Sequence, residues 1–209
     1  MIKNIIFDMG NVLVKYDPDF ILDSHGVNDP EDRKMLLDNI SYSEGWKKMD
    51  LGIYDEEDLY NEAITKLPER LHPKAREILD SWYRSLIPIE GMEELIRKLK
   101  DHGFGIYLLS NAGRSKDIYW KDIPGNQYFD GTVVSAFERC IKPDRKIYEI
   151  LLERYGLIAE ECLFIDDMET NVIGAEKAGI KAYEFDGDMK RLENYINDII
   201  QQKEKETCE

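Results

Sequence analysis

Polar residues stand where three apolar runs stop: Asp8 after Ile5-Ile6-Phe7, Ser110 and Asn111 after Tyr107-Leu108-Leu109, and Asp166 with Asp167 after Leu163-Phe164-Ile165. Lys142, in Ile141-Lys142-Pro143-Asp144, adds a cation. If these residues meet, three carboxylates cannot all stay ionised without compensation. Hard oxygen at that density suits Mg²⁺, which also bridges to phosphate oxygens. A carboxylate nucleophile, a divalent cation, hydroxyl or amide donors and a lysine are the parts that phosphoryl transfer needs.

The apolar runs must therefore be strands that end on one edge. Lys3 to Phe7, Gly105 to Leu109, Gly131 to Ser135, Cys162 to Ile165 and Lys181 to Phe185 are short and nearly continuously apolar. That pattern is expected of a parallel sheet covered by helices on both faces. Between them, Met92 to His102 and Lys146 to Tyr155 carry helical periodicity and close on Gly103 and Gly156. The expected fold is α/β, a doubly wound, parallel, five-stranded sheet with a Rossmann-like topology, whose ligands sit beyond the carboxyl ends of the strands. Tyr16 to Leu86 breaks the alternation and reads as helical. The expected division is a catalytic core of residues 1–14 and 89–209, with a helical cap of residues 15–88 inserted after the first strand. Pro18, Pro88 and Gly91 mark its hinges. Gln201 to Glu209 reads as a frayed, solvated end.

The 209 residues, 43% apolar and 34% charged, fit one soluble globular core with a smaller second domain. A net charge of −15 argues against a nucleic-acid or anionic-membrane partner. It also means that an anionic substrate must be held by local positive charge, which the cation and Lys142 would supply. No apolar stretch reaches spanning length, and the first residues do not read as a signal peptide. Cys140, Cys162 and Cys208 form neither a disulfide framework nor a zinc pattern, so a cytoplasmic location is expected. Oligomeric state is not legible.

In order along the chain, Asp8 in Phe-Asp-Met-Gly-Asn-Val-Leu, Ser110 in Leu-Leu-Ser-Asn, Lys142 in Ile-Lys-Pro-Asp and Asp166-Asp167 in Phe-Ile-Asp-Asp resemble the four motifs of the haloacid dehalogenase superfamily. The resemblance spans the whole core. It implies a Mg²⁺-dependent phosphohydrolase acting on a small phosphorylated metabolite through an aspartyl-phosphate on Asp8. Ser110 would donate to the phosphoryl oxygens with Asn111 in support, and Lys142 would stabilise nucleophile and transferred group. The implied metal ligands are Asp8, the Gly10 carbonyl and Asp167, with Asp166 acting through water or by orienting the others.

One position departs from that pattern. Phosphatases of the superfamily usually carry a second Asp two residues after the nucleophile, as the acid that protonates the leaving alkoxide, and here that position is Gly10. General acid catalysis is worth roughly 10²–10⁴-fold, or about 3–5.5 kcal/mol of barrier. Gly10-Asn11 resembles a glucose-1-phosphatase-like branch, and an anomeric hydroxyl is more acidic than an ordinary alcohol, so a hexose 1-phosphate leads. Asp17 and Asp19 are substitute acids to consider. A 2-haloacid dehalogenase and a non-catalytic binding protein of the same fold are the alternatives.

Taken singly, Asp8 could cap a turn, Ser110-Asn111 could be a helix N-cap, and Lys142 could be an exposed lysine. His25, His72 and His102 read as surface residues. Tyr42, Trp46, Tyr54 and Tyr60 read as packing within the cap, with Trp46 beside Lys47 and Lys48 the one that could face a ligand, and Asp55 to Asp58 read as a helix N-terminus.

Overall fold

The computed structural model describes residues 1–207. Five parallel strands, β1 (Asn4–Phe7), β4 (Gly105–Ser110), β5 (Gly131–Val134), β6 (Cys162–Asp166) and β7 (Lys181–Glu184), form one sheet in the order β5-β4-β1-β6-β7. Alternation along β1 explains why it reads as wholly apolar. Ile5 and Phe7 belong to one buried cluster with Leu95, Leu99, Leu192 and Ile196, whereas Ile6 joins Ile147, Tyr148, Leu151 and Ala175. The first cluster draws on α6 (Met92–Asp101) and α11 (Met189–Thr207), the second on α9 (Arg145–Tyr155) and α10 (Glu169–Lys177). The doubly wound α/β fold expected from the sequence is present.

Between β1 and β4 the chain makes a helical insertion: α1 (Pro18–Ser24), α2 (Pro30–Leu36), α3 (Glu44–Asp50), α4 (Glu56–Ile64) and α5 (His72–Ser81). Local chemistry sets the first four starts. Asp17 and Asp29 are N-caps, each followed by a proline at the first helical position, Ser43 caps α3, and Asp55 with Asp58 forms a capping box on α4. A π-type turn over Leu37–Ser41 joins α2 to the segment before α3.

The two connections to the insertion pair with each other. β2 (Val14–Lys15) pairs antiparallel with β3 (Ile87–Pro88), so the outgoing and returning chains run side by side. Pro88 sits within this ribbon and Pro18 opens α1, while Gly91 adopts φ +85 just before α6. Short helices α7 (Lys116–Tyr119) and α8 (Ser135–Glu138) follow β4 and β5. Gln201 to Thr207 continue α11 rather than fraying, and Cys208 and Glu209 lie outside the described residues. No helix of the described residues is long and apolar enough to cross a membrane.

Candidate active site

With β1 at the centre of the sheet, Asp8 emerges between the ends of β4 and β6, and its N–H donates to the Ile165 carbonyl at 2.9 Å. Ser110 is the last residue of β4 and Asp166 the last of β6. Lys142 arrives from the loop between α8 and α9. Its Nζ lies 2.8 Å from Asp8 Oδ1 and 2.6 Å from Asp166 Oδ2. It is 3% exposed, so the reading of an ordinary surface lysine is excluded. Both ends of the Asn111 amide hold the Lys142 main chain, accepting from its N–H at 2.8 Å and donating to its carbonyl at 3.1 Å. Asp166 is fully buried and accepts from Asn171 Nδ2 and the Met168 N–H. It orients Lys142 from behind rather than facing the cavity.

Carboxylate oxygens of Asp8, Asp166 and Asp167 all lie within 4.8 Å of one another. Burial raises the Asp8 carboxyl, Lys142 pulls it down and Asp166 raises it again, leaving it at about 6. Burial also raises Asp167, opposed by a hydrogen bond from Asn11. Burial works against the Lys142 ammonium, but Asp8 and Asp166 more than offset it and hold it above the usual range. Three carboxyl groups here share one lysine. Their hard oxygen donors therefore fit a divalent cation such as Mg²⁺.

The site lines a cavity of about 260 Å³ that also takes in Gly10, Asn11, Ser110 and Gly113 from the core side and Trp46, Met49, Asp50 and Trp82 from the insertion. Tyr16 closes the junction, with ring centroids 6.0 Å from Trp46 and 5.8 Å from Trp82. Trp46 and Trp82 lie 5.2 Å apart, and Tyr119 lies 5.6 Å from Trp82. Trp82 Nε1 and Tyr119 Oη are buried without a hydrogen-bond partner.

The structure brings together Asp8, Gly10, Ser110, Asn111, Lys142, Asp166 and Asp167, all expected from the sequence. It does not bring in Asp17 or Asp19. Asp17 is spent capping α1 and Asp19 pairs with Arg33 at 2.6 Å, and neither lines the cavity. Trp46 faces the cavity rather than only packing within the insertion, Tyr42 is 62% exposed, and Tyr54 and Tyr60 pack as expected. His25 and His72 are half-buried rather than on the surface, with ring nitrogens 2.7 Å from the Ile21 carbonyl and 3.0 Å from the Leu67 carbonyl. Cys140 and Cys162 are buried free thiols.

Sequence reasoning missed Asn11, Asp50, Trp82 and Tyr119. Asn11 adopts φ 54, donates to Asp167 Oδ2 at 3.1 Å and accepts from the Tyr16 N–H at 3.0 Å. Asparagine tolerates that left-handed conformation, so Gly-Asn after a strand was the available signal. Asp50 is half-buried, and burial, then the charge of Asp8, push its carboxyl up to about 7 while Lys142 pulls the other way.

A family model described as haloacid dehalogenase-like hydrolase matches residues 2–179. The sesquiterpene phosphatase of Aspergillus oryzae is 29% identical over 188 residues, 85% of this chain and 87% of its own. The D-ribitol-5-phosphate phosphatase of Bacteroides thetaiotaomicron is 22% identical, over 88% of this chain and 92% of its own. The crystal structure of a HAD family enzyme from Bacteroides thetaiotaomicron, a magnesium complex, matches with a TM-score of 0.71 at 24% identity, covering 91% of this chain and 98% of that one. At that identity the likeness establishes the fold.

Proposed function

The chain belongs to the haloacid dehalogenase-like hydrolase family, and on that premise we propose that it is a Mg²⁺-dependent phosphatase of a small phosphorylated metabolite, with Asp8 as nucleophile. One observation carries this reading: a buried carboxylate held 2.8 Å from a buried lysine on the floor of a cavity, inside a three-carboxylate cluster. The relatives named above, which are phosphatases of phosphorylated organic molecules, support it.

Asp8 attacks phosphorus, the ester oxygen departs, and water then cleaves the aspartyl-phosphate, releasing inorganic phosphate and restoring the carboxylate. The Ser110 hydroxyl, which has no hydrogen-bond partner among the described residues, is free to donate to a phosphoryl oxygen. Lys142 keeps Asp8 ionised and offsets the charge that accumulates on the transferred group. Asp8, Asp167 and the Gly10 carbonyl would hold Mg²⁺, with Asp166 bracing from behind. When bound, that ion relieves the repulsion between a carboxylate nucleophile and an anionic phosphate.

The walls bear on the organic part of the substrate. A cavity of about 260 Å³ lies just under the usual small-ligand range of roughly 300–1,000 Å³, so that part is small. Trp46 and Trp82 favour a molecule with an apolar face, while Trp82 Nε1 and Tyr119 Oη ask for acceptors. A hexose 1-phosphate meets both requirements, through the face of the pyranose ring and its hydroxyls. The helical insertion, in this reading a cap of residues 15–88 over a core of 1–14 and 89–209, excludes water and selects the leaving group.

The test is phosphate release from a panel of phosphate esters that includes glucose 1-phosphate, with and without Mg²⁺. Mg²⁺-dependent turnover is expected. Absence of turnover on every ester overturns the reading.

A further inference from the structure

With glycine at position 10, the departing oxygen has no acid from the motif that carries the nucleophile. Packing does not force this. A Cβ built on Gly10 meets only Tyr16 Cβ, at 4.0 Å, and its φ is not in the left-handed range. Position 10 has room for a side chain, so the acid must be sought among the other groups that line the cavity.

The titratable side chains there are Asp8, Tyr16, Asp50, Tyr119, Lys142 and Asp167. Asp8 is the nucleophile, Lys142 is engaged by two carboxylates, and Asp167 is held by Asn11 within the acidic cluster. Burial raises both phenols well above their usual range, which makes them poor acids. Asp50 remains, the one carboxyl group that the insertion contributes to the cavity. It makes no hydrogen bond or ion pair among the described residues.

Nothing in local stability explains an acid at that position. Asp50 is the last residue of α3, where the helix dipole disfavours negative charge. Yet the backbone that carries it is fixed to the core. Gly52 follows with φ +65, a Cβ there would lie 1.9 Å from the Ala136 carbonyl oxygen of α8, and Arg114 Nη2 donates to the Gly52 carbonyl at 3.3 Å. The end of α3 is thereby pinned to the core, where Asp50 lines the same cavity as Asp8.

We propose that Asp50 is a catalytic residue, the general acid that protonates the departing ester oxygen in place of the carboxyl absent at position 10. This rests on the phosphatase reading above. As the bond from Asp8 Oδ to phosphorus forms and the phosphorus–ester oxygen bond breaks, the electron pair of that bond stays on the oxygen, which takes the Asp50 proton and leaves as a neutral alcohol. The Asp50 carboxylate then accepts a proton from the water that attacks the aspartyl-phosphate, so both groups return to their starting state. The raised Asp50 carboxyl keeps a useful fraction protonated near neutral pH.

The experiment compares kcat/KM of wild type and Asp50→Asn, with Mg²⁺, on 4-nitrobenzyl phosphate and 4-nitrophenyl phosphate, which differ chiefly in whether the leaving oxygen needs a proton. The expected loss is roughly 10²–10³-fold on the benzyl ester and under about threefold on the phenyl ester. Adding Gly10→Asp to Asp50→Asn should recover at least about tenfold on the benzyl ester. Equal losses on the two esters, or no loss on the benzyl ester, overturn the proposal. The wild type supplies an arm that needs no variant: a steep dependence of its kcat/KM on leaving-group acidity also overturns it. Wild type that cleaves no ester condemns the phosphatase reading itself, a separate outcome.

Discussion

On the sheet side of the cavity the charged groups are already partnered: Lys142 bridges Asp8 and Asp166, Asn171 holds Asp166, and Asn11 holds Asp167. Elsewhere on the lining, Asp50 and Trp82 Nε1 from the insertion and Tyr119 Oη from the segment after β4 have no hydrogen bond among the described residues. The first set is rigid before any ligand arrives, which suits groups that must meet phosphorus in one geometry. The second set is desolvated but unspent, which suits groups whose partner is the substrate. Changes among the sheet-end groups should therefore abolish chemistry or fold, and changes in the rest of the lining should alter which substrates react and how fast.

The largest effect belongs to Asp8. Asp8→Asn should lower Mg²⁺-dependent phosphate release by roughly 10⁴-fold or more, the scale on which a lost nucleophile is felt, with the far-UV circular dichroism unchanged. Retained activity would remove Asp8 from its role.

Lys142 is next, and its loss is first a matter of stability. Lys142→Met leaves Asp166, fully buried, and Asp8, 8% exposed, without their shared cation. Breaking a buried pair from one side costs about 3–5 kcal/mol, to be read from urea unfolding of the metal-free protein. A loss under about 1 kcal/mol would fit a solvent-exposed pair and break the contrast between the two sets.

The two sets also differ in how visible they are in the chain. Strands buried on both faces give continuous apolar runs, so Asp8, Ser110 and Asp166 announce themselves as polar residues that stop such runs. Asp50 lies in Trp46-Lys47-Lys48-Met49-Asp50-Leu51, an ordinary polar helix end, and only the docking of Gly52 on Ala136 brings it to the site. Trp82 and Tyr119 belong to separate segments whose meeting is tertiary. The β2–β3 ribbon, two residues per strand, is too short to leave a periodic signal. An acid at a helix C-terminus followed by glycine was the one trace available, and it is weak by itself.

Trp46 probes the insertion side with a smaller expected effect. Trp46→Ala should raise KM about tenfold, equivalent to about 1.4 kcal/mol of binding, and leave kcat within about threefold, because a wall contact is made equally in ground and transition states. A fall in kcat at constant KM would instead tie this wall to the chemical step.

The smallest effect separates Asp50 from a group kept for stability. Its carboxyl titrates near 7 in the fold against 3.8 ordinarily. Between about pH 4 and 7 the native state therefore holds a proton that the unfolded chain has released. Stability from this group is fully present below the unfolded value and is lost as pH rises through the folded one. Asp50→Asn removes that dependence, so the metal-free variant should gain on wild type as pH rises from 4.5 to 8. The gain should be about 1 kcal/mol, less than the full shift allows because the side chain is half-buried. Glu62, lowered to about 2 chiefly by its hydrogen bond from Lys66, contributes stability lost only as pH falls below 4.5, so it stays ionised across this window. Urea unfolding of both proteins at the two ends of the window reads the difference. A gap that does not change with pH would mean that Asp50 carries no stability cost at neutral pH, and the unspent character of this part of the lining would then rest on Trp82 and Tyr119 alone.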